Sequence, residues 1–251
     1  MSGISELQAK RYNRQIIMPQ VGEAGQERLL KAKVLVIGAG GLGSPAIYYL
    51  AAAGVGNIGV VDQDAVELSN LQRQILHDME RLGTPKAVSA QKAVGRLNPD
   101  VMLRPYVMAL NKDNAEEIIQ GYEVVVNAVD NGETRQLVNA VCVKAGKPLV
   151  EGGVTNFSGY ATTIVPGQGP CYRCIFPNTD RPAVPTIDLS RGVIGALPGV
   201  VGSMQALETI KLLLGIGELL VGRLLVFDGL SLSFREVKVE RRSNCQTCAS
   251  F

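Results

Sequence analysis

Residues 33–45 read KVLVIGAGGLGSP, a β-branched run followed at once by a glycine-rich turn and a helical pattern. Such an apolar run is typical of a strand buried on both faces, as in a parallel sheet. The turn contains Gly38, Gly40, Gly41 and Gly43, which let the backbone approach phosphate oxygens, and the amides at the start of the next helix favour an anion. This order predicts a nucleotide-binding βαβ unit.

An acidic residue supports this interpretation. Asp62 follows a second apolar run, residues 58–61. It comes about 20 residues after the glycines, where dinucleotide-binding folds place the partner of a ribose hydroxyl. The pattern favours an adenine nucleotide without specifying which one, and a tight turn that holds no ligand is the alternative.

Composition limits the class of protein. The chain has 251 residues and a formal net charge of +2, enough for one sizeable core and too balanced for an overall polyanion-binding surface. No apolar stretch reaches membrane-spanning length, and the first residues lack a signal-peptide pattern. We therefore expect a cytoplasmic protein without membrane contact, and the charge balance disfavours nucleic acid as a partner.

Strand and helix patterns alternate through residues 1–150, which predicts an α/β fold with a Rossmann-like, doubly wound, mostly parallel sheet. Ligands of such sheets bind outside the carboxyl ends of the strands. The glycine turn, Asp62 and Asp130 each follow a predicted strand. We therefore expect these features to meet in one crevice.

The C-terminal third has a different pattern. Residues 224–241 predict two strands of an antiparallel extension, and residues 178–198, rich in proline, glycine and polar side chains, predict a long mobile loop. Residues 203–214 predict an amphipathic helix with Glu208 and Lys211 turned outward.

Two C-x-x-C pairs lie about 70 residues apart and predict one tetrahedral zinc site. An iron site or iron–sulfur cluster is an alternative, and a redox dithiol is a weaker one because it needs no second pair. The fifth cysteine, Cys142, lies in an apolar helical pattern and is predicted to be a core residue. The four expected ligands are Cys171, Cys174, Cys245 and Cys248.

Several polar residues follow Asp62 in the chain. Asn70, Arg73 and Gln74 lie in a segment that the fold brings near the glycine turn, and Lys86 starts a helix after Thr-Pro. A lysine at a helix N-terminus is unfavourable, so an anion nearby would explain it; a solvated lysine is the alternative. His77, the only histidine, is predicted to be a surface or capping residue.

The charged residues favour nucleotidyl transfer over hydride transfer. The sequence lacks the Tyr-x-x-x-Lys pair of short-chain dehydrogenases. It does offer three cations, Arg14, Arg73 and Lys86, for a triphosphate, and Asp130 for Mg²⁺. Adenylation requires little beyond positioned cations, a metal ion and a held nucleophile.

Nearly the whole chain resembles the ThiF/MoeB/HesA family, the bacterial relatives of ubiquitin-activating enzymes. The similar stretches are RYNRQI, GAGGLGSP, VELSNLQRQ, TPKA, NAVDN, the CYRC and CQTC pairs, and GVVGSMQALETIK. The resemblance implies a homodimeric adenylyltransferase. Such an enzyme uses ATP to activate the C-terminal Gly-Gly carboxylate of a ubiquitin-like sulfur carrier protein as an acyl-adenylate and releases pyrophosphate.

The resemblance also implies a role for individual residues and for three parts of one domain. These are an N-terminal helical arm (1–31), a nucleotide-binding core (32–155) and a carrier-binding and zinc part (156–251). The implied ATP contacts are Gly38, Gly40, Gly41 and Gly43 in the loop, Asp62 at the ribose, Asn70, Arg73 and Lys86 at the phosphates, and Asp64, Gln74 and Asn131 beside them. Asp130 would bind Mg²⁺, Arg14 would reach ATP from the partner subunit, and the four cysteines would bind Zn²⁺.

One departure from the family pattern concerns sulfur transfer. Family members commonly carry a cysteine in the loop before the last long helix, at a position that falls on or near Asp188 here, and no cysteine lies between Cys174 and Cys245. We expect a separate sulfur donor. The carrier and its pathway, molybdopterin, thiamin or another, are left open, as are a tRNA or peptide carboxylate as substrate, an NAD(P)-binding oxidoreductase and a non-catalytic scaffold.

Overall fold

The structure is a computed structural model that describes residues 3–177 and 192–249. Its centre is one mixed sheet whose strands, over the described residues, follow the spatial order β3-β2-β1-β4-β5-β6-β7-β8. The strands are β1 (Lys33–Ile37), β2 (Asn57–Val61), β3 (Met102–Tyr106), β4 (Val124–Asn127), β5 (Leu149–Thr155), β6 (Ser158–Ile164), β7 (Arg223–Asp228) and β8 (Ser233–Lys238).

The α-helices pack around this sheet, and the first three of them precede it in the sequence. They are α1 (Glu6–Arg11), α2 (Asn13–Ile16), α3 (Gly22–Lys31), α4 (Gly43–Ala52), α5 (Lys86–Leu97), α6 (Ala115–Gln120), α7 (Gly132–Lys144), α8 (Tyr172–Ile175) and α9 (Ala196–Leu214). Among the described residues, no helix combines the length and apolar character that a bilayer crossing requires.

The sheet changes direction after β5. Strands β1 to β5 pair in parallel, whereas β6, β7 and β8 each pair antiparallel with the strand before them. The predicted parallel core with an antiparallel C-terminal extension is therefore confirmed. β1 and β4 lie in the interior because their β-branched residues are covered on both faces.

Two apolar cores cover the two faces of the sheet. Side chains of α3, α4, α5 and α9 pack on one face, and those of α6, α7 and α8 pack on the other. Cys142 of α7 is fully buried in the second core, as predicted, and this burial raises the pKa of its thiol. Helices on both faces leave the carboxyl ends of the parallel strands open to form a crevice.

The last long helix differs from its prediction. α9 begins at Ala196, and Ser203 lies inside it, with its hydroxyl donating to the carbonyl of Gly199 at 2.7 Å. Glu208 does not face outward, since its carboxylate is buried and accepts hydrogen bonds from the Thr163 hydroxyl and the Leu220 amide. Of the predicted loop 178–198, residues 178–191 lie outside the described parts, and its last three residues are helical.

Candidate active site

A pocket lies at the carboxyl ends of β1, β2 and β4, where the sequence predicted the crevice. Its wall combines the glycine loop, three carboxylates, three cations, three side-chain amides (Gln63 among them) and an apolar side. The lining residues that the argument uses are Gly38, Gly40, Gly41, Asp62, Asp64, Asp130, Arg73, Lys86, Arg135, Gln74, Asn131, Val61, Met108, Leu110, Val154 and Pro198.

The glycines of the loop serve two purposes. Gly38 has φ +95°, and a Cβ there would lie 2.7 Å from the carbonyl oxygen of Ala128. Gly43 does not line the pocket; it starts α4 with its Cα against the backbone of Gly38. A Cβ at Gly41 would lie 3.3 Å from the ring of Pro198, a tight contact that the ring can relieve by shifting a few tenths of an ångström. Gly38 and Gly43 thus allow the backbone packing, while Gly41 keeps the pocket open.

Asp62 is held in place by the backbone around it. Its Oδ2 accepts from the Ala39 amide at 2.8 Å and its Oδ1 from the Asp64 amide at 2.9 Å. Burial raises the pKa of this carboxyl, and these two amide donors oppose that rise. Since each carboxylate oxygen has a further lone pair, Asp62 can also accept from the two hydroxyls of a ribose.

The cations of the pocket are positioned by local contacts. The Lys86 ammonium is nearly buried and lies 2.9 Å from a carboxylate oxygen of Asp64. This ion pair supplies the anion that the lysine at the helix start required. Arg73 donates from Nη1 to the carbonyl of Ser69 at 3.0 Å, which fixes the guanidinium beside the glycine loop.

Four helices begin at this pocket. Gly41 and Leu42 precede α4, Lys86 is the first residue of α5, Asn131 caps α7, and Pro198 lies in the first turn of α9. The amino end of a helix carries a partial positive charge and unpaired amides. Their convergence makes the backbone around the pocket attractive to a polyanion.

Besides Gly43, two predicted ATP-site residues lie outside the pocket lining. Asn70 is buried outside the lining, where its Oδ1 accepts from the Glu67 amide at 3.2 Å. Arg14 is exposed on α2, next to Gln15, which donates to the carbonyl of Ala53 at the far end of α4. A helix of this length, ten residues, spans about 15 Å, so Arg14 does not line the pocket of its own chain.

The sequence did not reveal a buried ion pair at the wall of the pocket, which the lining residue Arg135 forms with Glu151. Arg135 and Glu151 are almost fully buried and pair directly. The guanidinium also donates to the carbonyls of Val129, next to Asp130, and Gly152. Arg135 therefore ties the turn that carries Asp130 to β5. Charges 16 residues apart carry no local signal of such a pair.

His77 also differs from its prediction. Its side chain is neither exposed nor a helix cap; only 6% of the residue is exposed. The ring lies between the carbonyl of Ala39 in the glycine loop and the hydroxyl of Ser89 in α5.

The four predicted metal-binding cysteines converge. Their sulfur atoms all lie within 4.8 Å of one another, and the pairs Cys171–Cys245 and Cys174–Cys248 are separated by 3.6 and 3.5 Å. A tetrahedral zinc ion with Zn–S bonds of about 2.3 Å requires sulfurs about 3.8 Å apart. The cluster therefore fits a tetrahedral metal ion.

The thiols of this cluster are electrostatically unequal. Burial raises the pKa of Cys171. At Cys245 burial is outweighed by backbone amides of Thr247 and Cys248 and by the neighbouring thiols, which lower its pKa to about 7. A thiolate that forms this readily is suited to metal ligation.

Known proteins resemble this chain over nearly its full length. The sequence model of the ThiF family matches residues 12–247. The SAMP-activating enzyme E1 of Haloferax volcanii is 51% identical over 241 residues, which is 96% of this chain and 89% of that protein. The sulfur carrier protein adenylyltransferase of Thermus thermophilus is 50% identical over 243 residues, 95% of this chain and 90% of that protein.

Longer proteins and solved structures are similar as well. Adenylyltransferase and sulfurtransferase MOCS3 of Xenopus laevis is 46% identical over 241 residues, but the chain spans only 53% of its length. The crystal structure of E. coli MccB with MccA-N7isoASN superposes with a TM-score of 0.83 at 22% identity and covers 98% of this chain and 76% of that one. At this identity the structural match establishes a common fold.

Proposed function

The chain belongs to the ThiF family, and on that premise we propose that it is an ATP-dependent adenylyltransferase acting on the C-terminal carboxylate of a ubiquitin-like sulfur carrier protein. One observation carries the proposal: Asp62, Arg73, Lys86 and Asp130 share a pocket with the glycine loop. Relatives named as adenylyltransferases and as an activating enzyme match almost end to end, which favours nucleotidyl transfer over the oxidoreductase alternative.

The nucleoside part of ATP fits one side of the pocket. Asp62 offers its free lone pairs to the ribose hydroxyls, as acidic residues at this position do in related folds. Beyond it, Val61, Met108 and Leu110 form an apolar wall against which a planar base could pack.

The phosphate part fits the other side. A carboxylate oxygen of the carrier attacks the α-phosphorus, the bond from that phosphorus to the oxygen bridging to the β-phosphate breaks, and pyrophosphate leaves with the bonding electrons. Arg73, Lys86 and the helix amino ends neutralise the charge on the phosphates. Asp130 would hold Mg²⁺ through its carboxylate, and the bound ion would supply Lewis-acid stabilisation of the phosphate charge.

The carrier would dock beside the antiparallel edge of the sheet. In the described chain β8 is an edge strand, and Leu230, Leu232 and Phe234 near it are 76%, 76% and 54% exposed. An exposed apolar patch next to a strand edge is typical of a protein-binding surface. A Cβ added at Gly229 in the same turn would lie 3.6 Å from Leu197, the neighbour of the pocket residue Pro198, so the patch lies close enough to the pocket for a short glycine tail to reach it.

Arg14 supports a homodimer. It lies next to the C-terminal end of α4, on the side of the sheet where the parallel strands begin, whereas its own pocket lies where they end. Arg14 can therefore act on ATP only in a second copy of the chain. We propose a twofold dimer in which each subunit contributes Arg14 to its partner's site.

The cysteine cluster is proposed to hold one structural Zn²⁺. Four sulfur ligands leave no open coordination position, which is the character of a structural site. The ion would join the C-terminal tail to the loop after β6, away from the nucleotide pocket. With no cysteine between positions 174 and 245, sulfur would come from a separate donor.

ATP–pyrophosphate exchange tests the central proposal. Exchange should require a carrier that ends in Gly-Gly, and the same carrier without its last glycine is the matched control. Asp130→Ala should abolish exchange. Absence of exchange with every Gly-Gly carrier, by a protein that binds ATP, would argue for a different carboxylate, such as that of a peptide or a modified tRNA.

A further inference from the structure

The only histidine of the chain is buried next to the pocket but does not line it. His77 Nε2 lies 2.9 Å from the carbonyl oxygen of Ala39, and Nδ1 lies 2.8 Å from the hydroxyl of Ser89. The ring therefore bridges the glycine loop and α5, and it is too enclosed to exchange protons with a substrate in the pocket.

These contacts define the tautomer. A carbonyl oxygen can only accept, so Nε2 carries the hydrogen and donates it to Ala39. Nδ1 then accepts from the Ser89 hydroxyl. Burial lowers the pKa of His77, the hydrogen bond to Ala39 opposes this, and the charges of Arg81 and Lys86 lower the pKa further, so the neutral ring is favoured.

The contacts of His77 connect three segments that hold the nucleotide. Ala39 is fixed at both polar groups, since its amide donates to Asp62 and its carbonyl accepts from His77. Ser89 lies one helical turn after Lys86, and the His77 amide donates to the carbonyl of Gln74 at 3.0 Å. A glycine-rich loop has many alternative backbone states, so a contact that selects one of them organises the site before ligand arrives.

We propose that His77 is a positioning residue that, as the Nε2–H tautomer, fixes the glycine loop relative to Lys86 for ATP binding. The inference rests on the proposed function only in taking ATP as the nucleotide. Its tests use ATP alone or the protein alone, so its failure is distinguishable from failure of carrier activation.

Nuclear magnetic resonance can observe this ring without assignment, since the chain holds one histidine once any affinity tag is removed. We expect the ¹⁵N spectrum of the imidazole at pH 7 to show a neutral ring with hydrogen on Nε2, and ATP to shift its signals. A ring protonated on Nδ1, or a cationic ring, would overturn the proposal.

Substitutions separate positioning from a merely structural role. His77→Gln keeps a side-chain N–H donor for Ala39, whereas His77→Leu removes both contacts at similar size. We expect His77→Leu to weaken ATP binding by roughly tenfold, about the value of one buried hydrogen bond, and His77→Gln to stay within about threefold of wild type. Calorimetric titration with ATP, well below the unfolding temperature, measures this.

The carrier provides the internal comparison. The KM for ATP in the exchange reaction should rise in His77→Leu, while the KM for carrier stays constant. Equal ATP affinity in wild type and His77→Leu, or a His77→Gln variant as weak as His77→Leu, would refute the positioning role. If His77→Leu does not fold, the tautomer of the wild-type ring and its response to ATP decide the matter.

Discussion

At the scale of single residues, the glycines of the nucleotide loop differ in the atoms that an added Cβ methyl group would contact. At Gly38 it would meet the backbone of Ala128 in an already left-handed conformation, whereas at Gly41 it would meet only side chains, the ring of Pro198 and the Cγ of Arg73. Backbone cannot move without disturbing the sheet, but a ring at the pocket wall can shift.

This difference gives the first prediction. Gly38→Ala should destabilise the fold by about 3 kcal/mol or more, while Gly41→Ala should unfold at nearly the wild-type urea concentration. Gly41→Ala should instead reduce the rate of ATP–pyrophosphate exchange, because the added methyl occupies space beside the phosphates. Equal losses of stability in both variants would contradict this division.

A second residue-scale prediction concerns the buried pair of Arg135 and Glu151. Glu151→Gln leaves the guanidinium charge buried without its partner, which should cost about 3–5 kcal/mol. The exposed pair of Lys144 and Glu116, 2.8 Å apart, is the matched control, and Glu116→Gln should cost about 1 kcal/mol or less. Urea unfolding of the two variants measures both, and similar losses would contradict the prediction.

At the scale of elements, the strands were the most predictable part of the chain. The runs at β1, β2 and β4 are rich in β-branched residues and are followed by turn or polar residues, so local pattern and tertiary burial agree. The cysteine pairs were equally clear because metal ligation fixes their spacing.

Features set by tertiary contacts were not predictable. The first turn of α9 contains Pro198 and Gly199, residues that in a sequence indicate a loop, yet proline is favourable there because its missing amide has no partner in a first turn. Glu208 and His77 were predicted to lie at the surface, and no sequence pattern indicated that Arg135 is buried. Each is buried because its partners come from distant parts of the chain.

A prediction for the cysteine-bound elements follows from their position outside the pocket. The double variant Cys245→Ser, Cys248→Ser should lose the metal and unfold at a lower temperature, since the tail is no longer joined to α8. Its exchange rate at 25 °C should remain close to wild type. Cys142→Ala is the control and should retain about one metal ion per chain; metal analysis and thermal unfolding measure both, and a metal-free wild type would refute the zinc assignment.

At the scale of the whole molecule, the separation of Arg14 from its own pocket predicts complementation. Arg14→Ala and Asp130→Ala should each be inactive as homodimers. After subunit exchange, a mixture of equal amounts should regain roughly one quarter of wild-type exchange activity, because half of the dimers contain one intact site. No recovery in a mixture shown to form mixed dimers would mean that Arg14 does not act across the interface.

The four helix starts around the pocket bear on how such a chain changes through evolution. Their attraction for anions belongs to the backbone and persists in any sequence that keeps the fold. Replacing Arg73 or Asp130 would remove catalysis, but a surface that concentrates phosphate would remain. Loss of activity and loss of nucleotide binding would therefore be separate evolutionary events, and a descendant without catalysis could still sense ATP.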